Sequence, residues 1–151
     1  MYNLDMIRRV AVRGIIVSNG KLLCARLKAY GGKQATDYWC VPGGGIDIGE
    51  AAIPALEREI FEETGVKPTV GSLLYLQQYP YEHGEQMEFF FHIKNPKDFI
   101  GIDLSKTSHG EEEIAEIDFV EPTSTNILPK FLTTESFDNL EKQPTKVYNY
   151  L

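Results

Sequence analysis

Gly44-Gly45-Ile46-Asp47-Ile48-Gly49-Glu50, followed after seven residues by Arg58-Glu59-Ile60-Phe61-Glu62-Glu63-Thr64-Gly65-Val66, is the stretch that decides the fold. It predicts a glycine-rich turn leading into a helix over residues 50–64, which Gly65 ends in a left-handed conformation. Spacings of three and four residues place Glu59, Glu62 and Glu63 on one helix face. Three like charges repel one another there, so we expect a cation among them. Clustered carboxylates suit Mg²⁺ or Mn²⁺ rather than zinc.

The whole stretch resembles the signature of the Nudix hydrolases, with every defined position filled from Gly44 to Val66. The segment Tyr38-Trp39-Cys40-Val41-Pro42-Gly43 resembles the lead-in of that family. A chance match would need the glycines, the arginine and all the acids in register. The resemblance implies an α/β fold of the Nudix type: an α/β/α sandwich with a mixed β-sheet between helices. We expect residues 1–151 to form a single domain of this kind.

The activity that the resemblance implies is metal-dependent hydrolysis of the diphosphate linkage in a nucleoside diphosphate joined to another moiety. By the same resemblance, the metal ligands are expected among helix carboxylates and one backbone carbonyl: Glu59, Glu62, Glu63 and Gly44. Glu62 and Glu63 are also expected to serve catalysis. Arg58 is expected to pair with Glu50 and brace the loop against the helix; a solvent-exposed charge is the alternative for Arg58. The metal would neutralise phosphate charge and lower the pKa of the attacking water.

Further acidic and basic candidates lie outside the signature, and each has a structural alternative. The block 111–113 precedes a predicted strand, where the family often places an extra carboxylate. Glu112 is a candidate general base and Glu113 a candidate metal ligand; a solvated acidic loop is the alternative. His109 lies beside this block as a further candidate, and simple exposure is its alternative. Arg26 either binds phosphate or is a surface charge at a strand end.

Glycines and aromatic residues are the candidates for contact with the substrate. Glycines at 43, 44 and 45 permit the close approach of backbone to a phosphate. Stacking on a nucleobase is expected from aromatic side chains: Tyr30, Tyr38, Trp39, Tyr79 and Tyr81. Tyr30 lies in a glycine-rich loop, where we expect an exposed side chain suited to a lid. The consecutive Phe89–Phe91 are interpreted as core, with Phe90 facing opposite to its neighbours on a strand.

Hydrophobic alternation and turn residues predict the other elements. A hairpin is expected around Asn19-Gly20, joining a strand over 8–18 to a strand over 21–27. The remaining predictions are a loop over 28–37, short strand 38–41, antiparallel strands 70–79 and 85–93, strand 114–120 and a second helix over 127–137. On the signature helix, an apolar stripe of Ile53, Leu56 and Ile60 is expected to pack on the sheet.

Composition limits the classes of function. The chain has 151 residues and a net charge of −7, which argues against non-specific nucleic-acid binding and leaves a small nucleotide as the expected partner. No apolar run is long enough to span a bilayer, so no membrane partner is expected. Two cysteines and the absence of a secretory pattern near Met1 predict reduced thiols in the cytoplasm. The sequence does not distinguish a monomer from a homodimer.

Several substrates and two other functions compete with this interpretation. A nucleoside triphosphate or modified nucleotide is favoured because the chain is short. ADP-ribose or another nucleotide sugar is the alternative, suggested by Pro80, 14 residues after Val66. An RNA cap is disfavoured by the acidic balance. A non-catalytic nucleotide-binding Nudix module would have lost signature acids, and none is lost here. A structural Ca²⁺ site is disfavoured because the acids lack the spacing of an EF-hand loop.

Overall fold

The computed structural model describes residues 6–28 and 34–151, in which strands and helices are mixed. The strands are β1 (Ile7–Ile15), β2 (Val17–Ser18), β3 (Lys21–Leu27), β4 (Gly43–Gly45), β5 (Val70–Tyr81), β6 (Gly84–Ile93), β7 (Ile114–Val120) and β8 (Lys146–Asn149). The α-helices are α1 (Ala52–Thr64) and the single turn α2 (Gly110–Glu113). Short 3₁₀ helices lie at Pro96–Phe99, Leu104–Lys106, Lys130–Thr133 and Leu140–Lys142.

Two sheets organise these elements. The larger sheet has the order β4-β1-β6-β5-β8 and is mixed, because β1 pairs with β6 and β5 with β8 in parallel while the other pairs are antiparallel. The smaller sheet, β2-β3-β7, is antiparallel. The prediction of a mixed sheet combined with helices is therefore confirmed.

The core forms two clusters on the two faces of the larger sheet. Leu56 and Ile60 of α1 are buried in one cluster together with Val12. Phe131 is buried in the other cluster with Phe90. Val12 is adjacent to Phe89 across the β1–β6 pair, and successive strand residues point to opposite faces, so Phe90 faces away from α1 as expected. The sheet therefore lies between α1 and the segment that contains the Lys130–Thr133 helix.

Helix α1 begins two residues later than predicted and ends where predicted. Gly65 follows it with φ of 74°, and its amide donates to the carbonyl of Phe61. Pro54 is the third helical residue, where amides lack partners within the helix. The expected apolar stripe is wrong at one position, because Ile53 is 42% exposed in the first turn and Ala55 is buried beside Leu56 instead.

The predicted second helix over 127–137 is wrong. This segment contains only the 3₁₀ helix Lys130–Thr133, and the Leu128–Pro129 peptide is cis. Pro129 has no amide to donate, and the threonines at 133 and 134 favour helices weakly, so burial of Phe131 and Leu132 wins without a regular helix. The segment 38–41 likewise makes isolated bridges, Cys40 with Ala25 and Trp39 with Ile127, rather than a strand.

The two hairpin turns lie where predicted, but the expected strand over 8–18 is divided into β1 and β2, which lie in different sheets, and only β2 pairs with β3. Asn19 and Gly20 both have positive φ, 52° and 76°, as a two-residue hairpin turn requires. Strands β5 and β6 extend further than predicted, so their turn shrinks to Glu82 and His83. The β7 strand has the predicted bounds.

Candidate active site

Arg58 connects the glycine-rich loop to helix α1. Its Nε donates to Glu50 Oε2 at 2.8 Å and its Nη2 to Glu50 Oε1 at 2.9 Å, the pairing that the resemblance implies. The hydrogen bonds from Arg58 hold the pKa of Glu50 down at about 2. Nη2 also donates to the Gly45 carbonyl at 3.3 Å. Because this one guanidinium contacts both sides of the turn, it fixes the loop against the helix.

The same guanidinium also contacts two of the three helix carboxylates. Nη1 of Arg58 donates to Glu59 Oε1 at 2.9 Å and to Glu62 Oε2 at 3.4 Å. The second oxygen of Glu59 faces the loop: a Cβ added at Gly44 would lie 2.5 Å from Glu59 Oε2. A side chain at Gly44 would therefore push the Glu59 carboxylate out of its position against the loop.

Glu63 is the most deeply buried acid of the helix, with 7% of its surface exposed. Burial, and to a smaller extent the negative charges of Glu59 and Glu113, raise its pKa to about 8, while Arg13 and the Gly43 amide oppose this rise. The Gly43 amide donates to Glu63 Oε2 at 3.1 Å. Burial also raises the pKa of Glu59. Both carboxylates would be stabilised in their charged form by a nearby cation.

An open cleft of about 530 Å³ contains these acids. Glu59 and Glu63 line it on one side, and Glu112 and Glu113 from α2 line it on another. Its remaining polar lining consists of basic side chains and the glycine loop: Arg9, Arg13, Lys28 and residues 43–45. The cleft therefore brings four carboxylates together with basic groups, as the binding of a metal and an anionic substrate requires.

The donor set fits a divalent cation in chemistry, although the four acids that line the cleft are spaced too widely to enclose one as they stand. Among residues 6–28 and 34–151, no three His, Cys, Asp or Glu side chains are close enough to enclose a metal ion. Glu62 lies outside the cleft lining, where its Oε2 is also 3.7 Å from His109 Nδ1. The carboxylate oxygens of Glu59 and Glu63 are hard ligands of the type that Mg²⁺ and Mn²⁺ prefer, and Glu59 lies against Gly44.

A second cavity of about 460 Å³ adjoins the cleft and shares four lining residues with it: Arg13, Leu27, Cys40 and Val41. Its walls are mainly apolar and aromatic, with Tyr38, Phe90 and Leu128 among them. The expected stacking residues Tyr38 and Tyr79 line this cavity. A planar group of nucleoside size fits a cavity of this volume and lining.

A buried polar network supports the boundary between the two cavities, and sequence reasoning missed it. Nε of Arg13 donates to Glu88 Oε2 at 3.1 Å, and Nη1 of the same side chain donates to the Gly43 carbonyl at 3.1 Å. Tyr79 Oη donates to Glu88 Oε1 at 2.8 Å, and Gln86 donates to the same oxygen. Charged residues at inward positions of apolar strands were the available signal.

Other candidate residues lie away from both cavities. Arg26 donates to the Thr36 carbonyl at 2.8 Å, approaches Glu116 at 3.4 Å and lies 6.0 Å from the Trp39 ring centre. Trp39 packs against the core and lines neither cavity. His109 is exposed. Tyr30 lies outside the described residues.

The site and fold define the class of this protein. The family model of the NUDIX domain matches residues 7–141 of the sequence, so the chain belongs to the Nudix family. Nudix hydrolases generally use a divalent metal ion. Within residues 6–28 and 34–151, no helix has the length and apolar character needed to cross a membrane.

Particular relatives share only part of their length with this chain. An ADP-ribose pyrophosphatase from Methanocaldococcus jannaschii is 40% identical over 73 residues, which is 48% of this chain and 41% of that protein. An RNA pyrophosphohydrolase from Pasteurella multocida is 36% identical over 66 residues, which is 44% of this chain and 31% of that protein. The chain thus aligns with less than half the length of either relative.

A solved structure shares the fold over most of the chain. The ORF135 protein of E. coli superposes with a TM-score of 0.64 and 24% identity, covering 84% of this chain and 85% of that one. At this identity the likeness supports the fold and carries no statement about substrate.

Proposed function

We propose that this protein is a metal-dependent pyrophosphohydrolase that cleaves the diphosphate linkage of a nucleoside triphosphate or modified nucleotide. The observation that carries the proposal is the continuity of an acidic cleft, containing Glu59 and Glu63, with an aromatic-lined cavity of nucleoside size. A nucleotide has the same two parts, a charged diphosphate and a planar base. Free thiols at Cys24 and Cys40 suit the reducing cytoplasm in which we place the reaction.

Glu59, Glu63, Glu113 and the Gly44 carbonyl are the groups that would hold Mg²⁺ or Mn²⁺. When bound, the cation neutralises phosphate charge and lowers the pKa of water. The glycine loop is held on both sides of Gly44, because Arg58 donates to the Gly45 carbonyl and Arg13 donates to the Gly43 carbonyl. Binding and orientation of the diphosphate therefore rest on a loop fixed from two sides, which is the main contribution that phosphoryl transfer asks of a protein.

Glu112 is the proposed general base. It lines the cleft on the turn α2, opposite the helix carboxylates, and is exposed to water. Glu62 is assigned to the support of Arg58 and of the neighbouring loop, because it contacts Arg58 Nη1 and His109 rather than the cleft. His109 donates its amide to the Glu62 carbonyl at 3.0 Å, which joins α2 to the end of α1.

ADP-ribose is the second candidate substrate. Its nucleoside diphosphate part would occupy the same cleft and cavity. The M. jannaschii relative, an ADP-ribose pyrophosphatase, supports it over the 73 aligned residues. The P. multocida relative, an RNA pyrophosphohydrolase, suggests an RNA substrate in the same way, but the net charge of −7 counts against a long nucleic acid.

A panel of substrates tests the proposal. Nucleoside triphosphates, ADP-ribose and a 5′-triphosphorylated oligonucleotide are incubated with Mg²⁺ or Mn²⁺, and phosphate, pyrophosphate and nucleotide products are quantified. We expect strict dependence on the metal and the greatest kcat/KM on a nucleoside triphosphate. If no diphosphate is hydrolysed under these conditions, the proposed activity is wrong. If ADP-ribose is the preferred substrate, the proposed activity stands and only the proposed substrate is wrong.

A further inference from the structure

The second cavity changes from apolar to polar along one face of the β5–β6 pair. Tyr75 is adjacent to Phe90, Gln77 to Glu88, and Tyr79 to Gln86, so these pairs share one face at alternate positions. Phe90 belongs to the core below, while Gln77, Glu88 and Tyr79 line the cavity. The floor of this cavity therefore contains two buried polar side chains, Gln77 and Glu88.

Glu88 is already occupied by the protein. One carboxylate oxygen accepts from Tyr79 Oη and Gln86, and the other accepts from Arg13 Nε. These three donors neutralise and orient the carboxylate. A ligand in the cavity would have to break one of these bonds to use Glu88.

Gln77 is in a different situation. It is 4% exposed and lines the cavity, while the donors around it, Arg13, Tyr79 and Gln86, are directed at Glu88. Its neighbours around the cavity include the apolar side chains of Phe90, Val41 and Leu128. An amide that opens into a mainly apolar cavity offers its polar atoms to a group that enters the cavity.

We propose that Gln77 is the residue that determines which nucleobase the second cavity accepts, by pairing its amide with an adjacent donor and acceptor on the edge of the base. An amide offers one acceptor and one donor side by side, and such an edge matches both. The apolar walls take the faces of the ring and give little discrimination themselves. This inference rests on the proposed function for the occupant of the cavity.

The distinction between bases then follows from the edge that faces Gln77. A base with an exocyclic amino group beside a ring-nitrogen acceptor, or an oxo group beside a ring N–H donor, satisfies both atoms of the amide. The same ring without that exocyclic group leaves one amide atom buried and unpaired. Unsubstituted purine riboside and 2-pyrimidinone riboside are such analogues of the ordinary nucleosides.

Binding of nucleosides that carry no phosphate tests this inference separately from hydrolysis. Adenosine, guanosine, cytidine, uridine and the two analogues are titrated calorimetrically into wild type, Gln77→Leu and Gln78→Leu without metal. Gln78 is the matched control, because it is next on β5 and faces the other side of the sheet. Thermal melting of each variant checks folding, and Gln77→Glu, which keeps the shape but removes the donor, serves if Gln77→Leu does not fold.

We expect wild type to bind its preferred nucleoside at least about tenfold more tightly than the analogue lacking the exocyclic group. This ratio should fall to about one in Gln77→Leu and persist in Gln78→Leu. A ratio unchanged in Gln77→Leu, or no preference in wild type, overturns the inference. If the protein binds nucleosides selectively but hydrolyses no diphosphate, the role of Gln77 stands and the proposed function fails. If the protein hydrolyses nucleotides and Gln77→Leu keeps the same base preference, the proposed function stands and the role of Gln77 fails.

Discussion

Arg58 and Glu50 form a bidentate pair, with nitrogen–oxygen distances of 2.8 and 2.9 Å, across the glycine-rich loop and the first turns of α1. A planar guanidinium matches two carboxylate oxygens at once, which an ammonium cannot do. Because Nη2 of Arg58 also contacts the Gly45 carbonyl and Nη1 contacts Glu59, the pair also sets the position of the cleft wall.

Arg58→Lys is therefore expected to lower kcat on the preferred substrate by about 10–100-fold, the range for loss of a residue that orients metal ligands. Lysine keeps the charge but cannot contact Glu50, Gly45 and Glu59 together. Steady-state kinetics at saturating Mg²⁺ measure the change, with Arg8→Lys as the control, because Arg8 makes an exposed pair with Glu85 at the far end of β1. Equal activity of the Arg58 variant and wild type would contradict the bracing role.

Glu63→Gln and Glu59→Gln are expected to reduce kcat/KM on the order of 10³-fold by removing charged oxygen ligands of the proposed metal. Mn²⁺ binding, followed by electron paramagnetic resonance, should weaken in parallel. Glu57→Gln is the matched control on the same helix, since Glu57 does not line the cleft. If both cleft variants bind Mn²⁺ as wild type does, these acids are not its ligands.

Gly44→Ala tests whether the close approach of Glu59 to Gly44 holds this carboxylate in its working position. The added Cβ would lie 2.5 Å from the Glu59 carboxylate, so this side chain must move away from the loop. We expect weaker Mn²⁺ binding and at least about tenfold lower kcat/KM, equivalent to about 1.4 kcal/mol. Gly45→Ala is the comparison, because its Cβ would meet Arg9 at 3.6 Å, an ordinary contact, and its loss should be smaller. If the Gly44 variant is as active as the Gly45 variant, Gly44 is not needed to position the Glu59 carboxylate.

Sequence patterns predict the local parts of this structure well. The helix α1 follows from the signature and Gly65, and the hairpin follows from Asn19-Gly20, since each depends on neighbours in the chain. The segment 127–137 differs because the spacing of Ile127, Phe131 and Leu132 allows burial with or without a helix. Burial on one side is all that such a pattern specifies.

The Arg13–Glu88 pair is unpredictable for another reason. It joins residues 75 positions apart, through the parallel pairing of β1 with β6. No local pattern specifies which strands pair in parallel, so neither the pair nor the adjacent Gln77 could be assigned to one cavity from sequence. Glu59 and Glu63 lie in one cleft, by contrast, because a single helix carries both.

Glu88→Gln is expected to destabilise the fold by about 3–5 kcal/mol, because it leaves the mostly buried Arg13 guanidinium without its charged partner. Chemical denaturation measures the free energy of unfolding. Glu85→Gln is the matched control: it lies on the same strand and pairs with an arginine of β1, but Arg8 there is 61% exposed, so the loss should stay below about 1 kcal/mol. Similar losses in the two variants would show that the Arg13–Glu88 pair is not special.

The raised pKa of Glu63 predicts an unusual dependence of stability on pH. The folded state holds this proton up to about pH 8, whereas an unfolded glutamate releases it near its ordinary value of 4.5. Between these values the folded state binds more protons, so the free energy of unfolding of the metal-free protein should fall as pH rises from about 4.5 to 8.

Thermal melts in chelator at several pH values measure this fall, and Glu63→Gln, which cannot ionise, should flatten it. Saturating Mg²⁺ should oppose the fall in wild type, since the cation binds the ionised carboxylate of the folded state and stabilises it by mass action. A wild-type stability that rises across the same interval in chelator, with the same slope in Glu63→Gln, would mean that Glu63 is ionised in the folded protein without a cation.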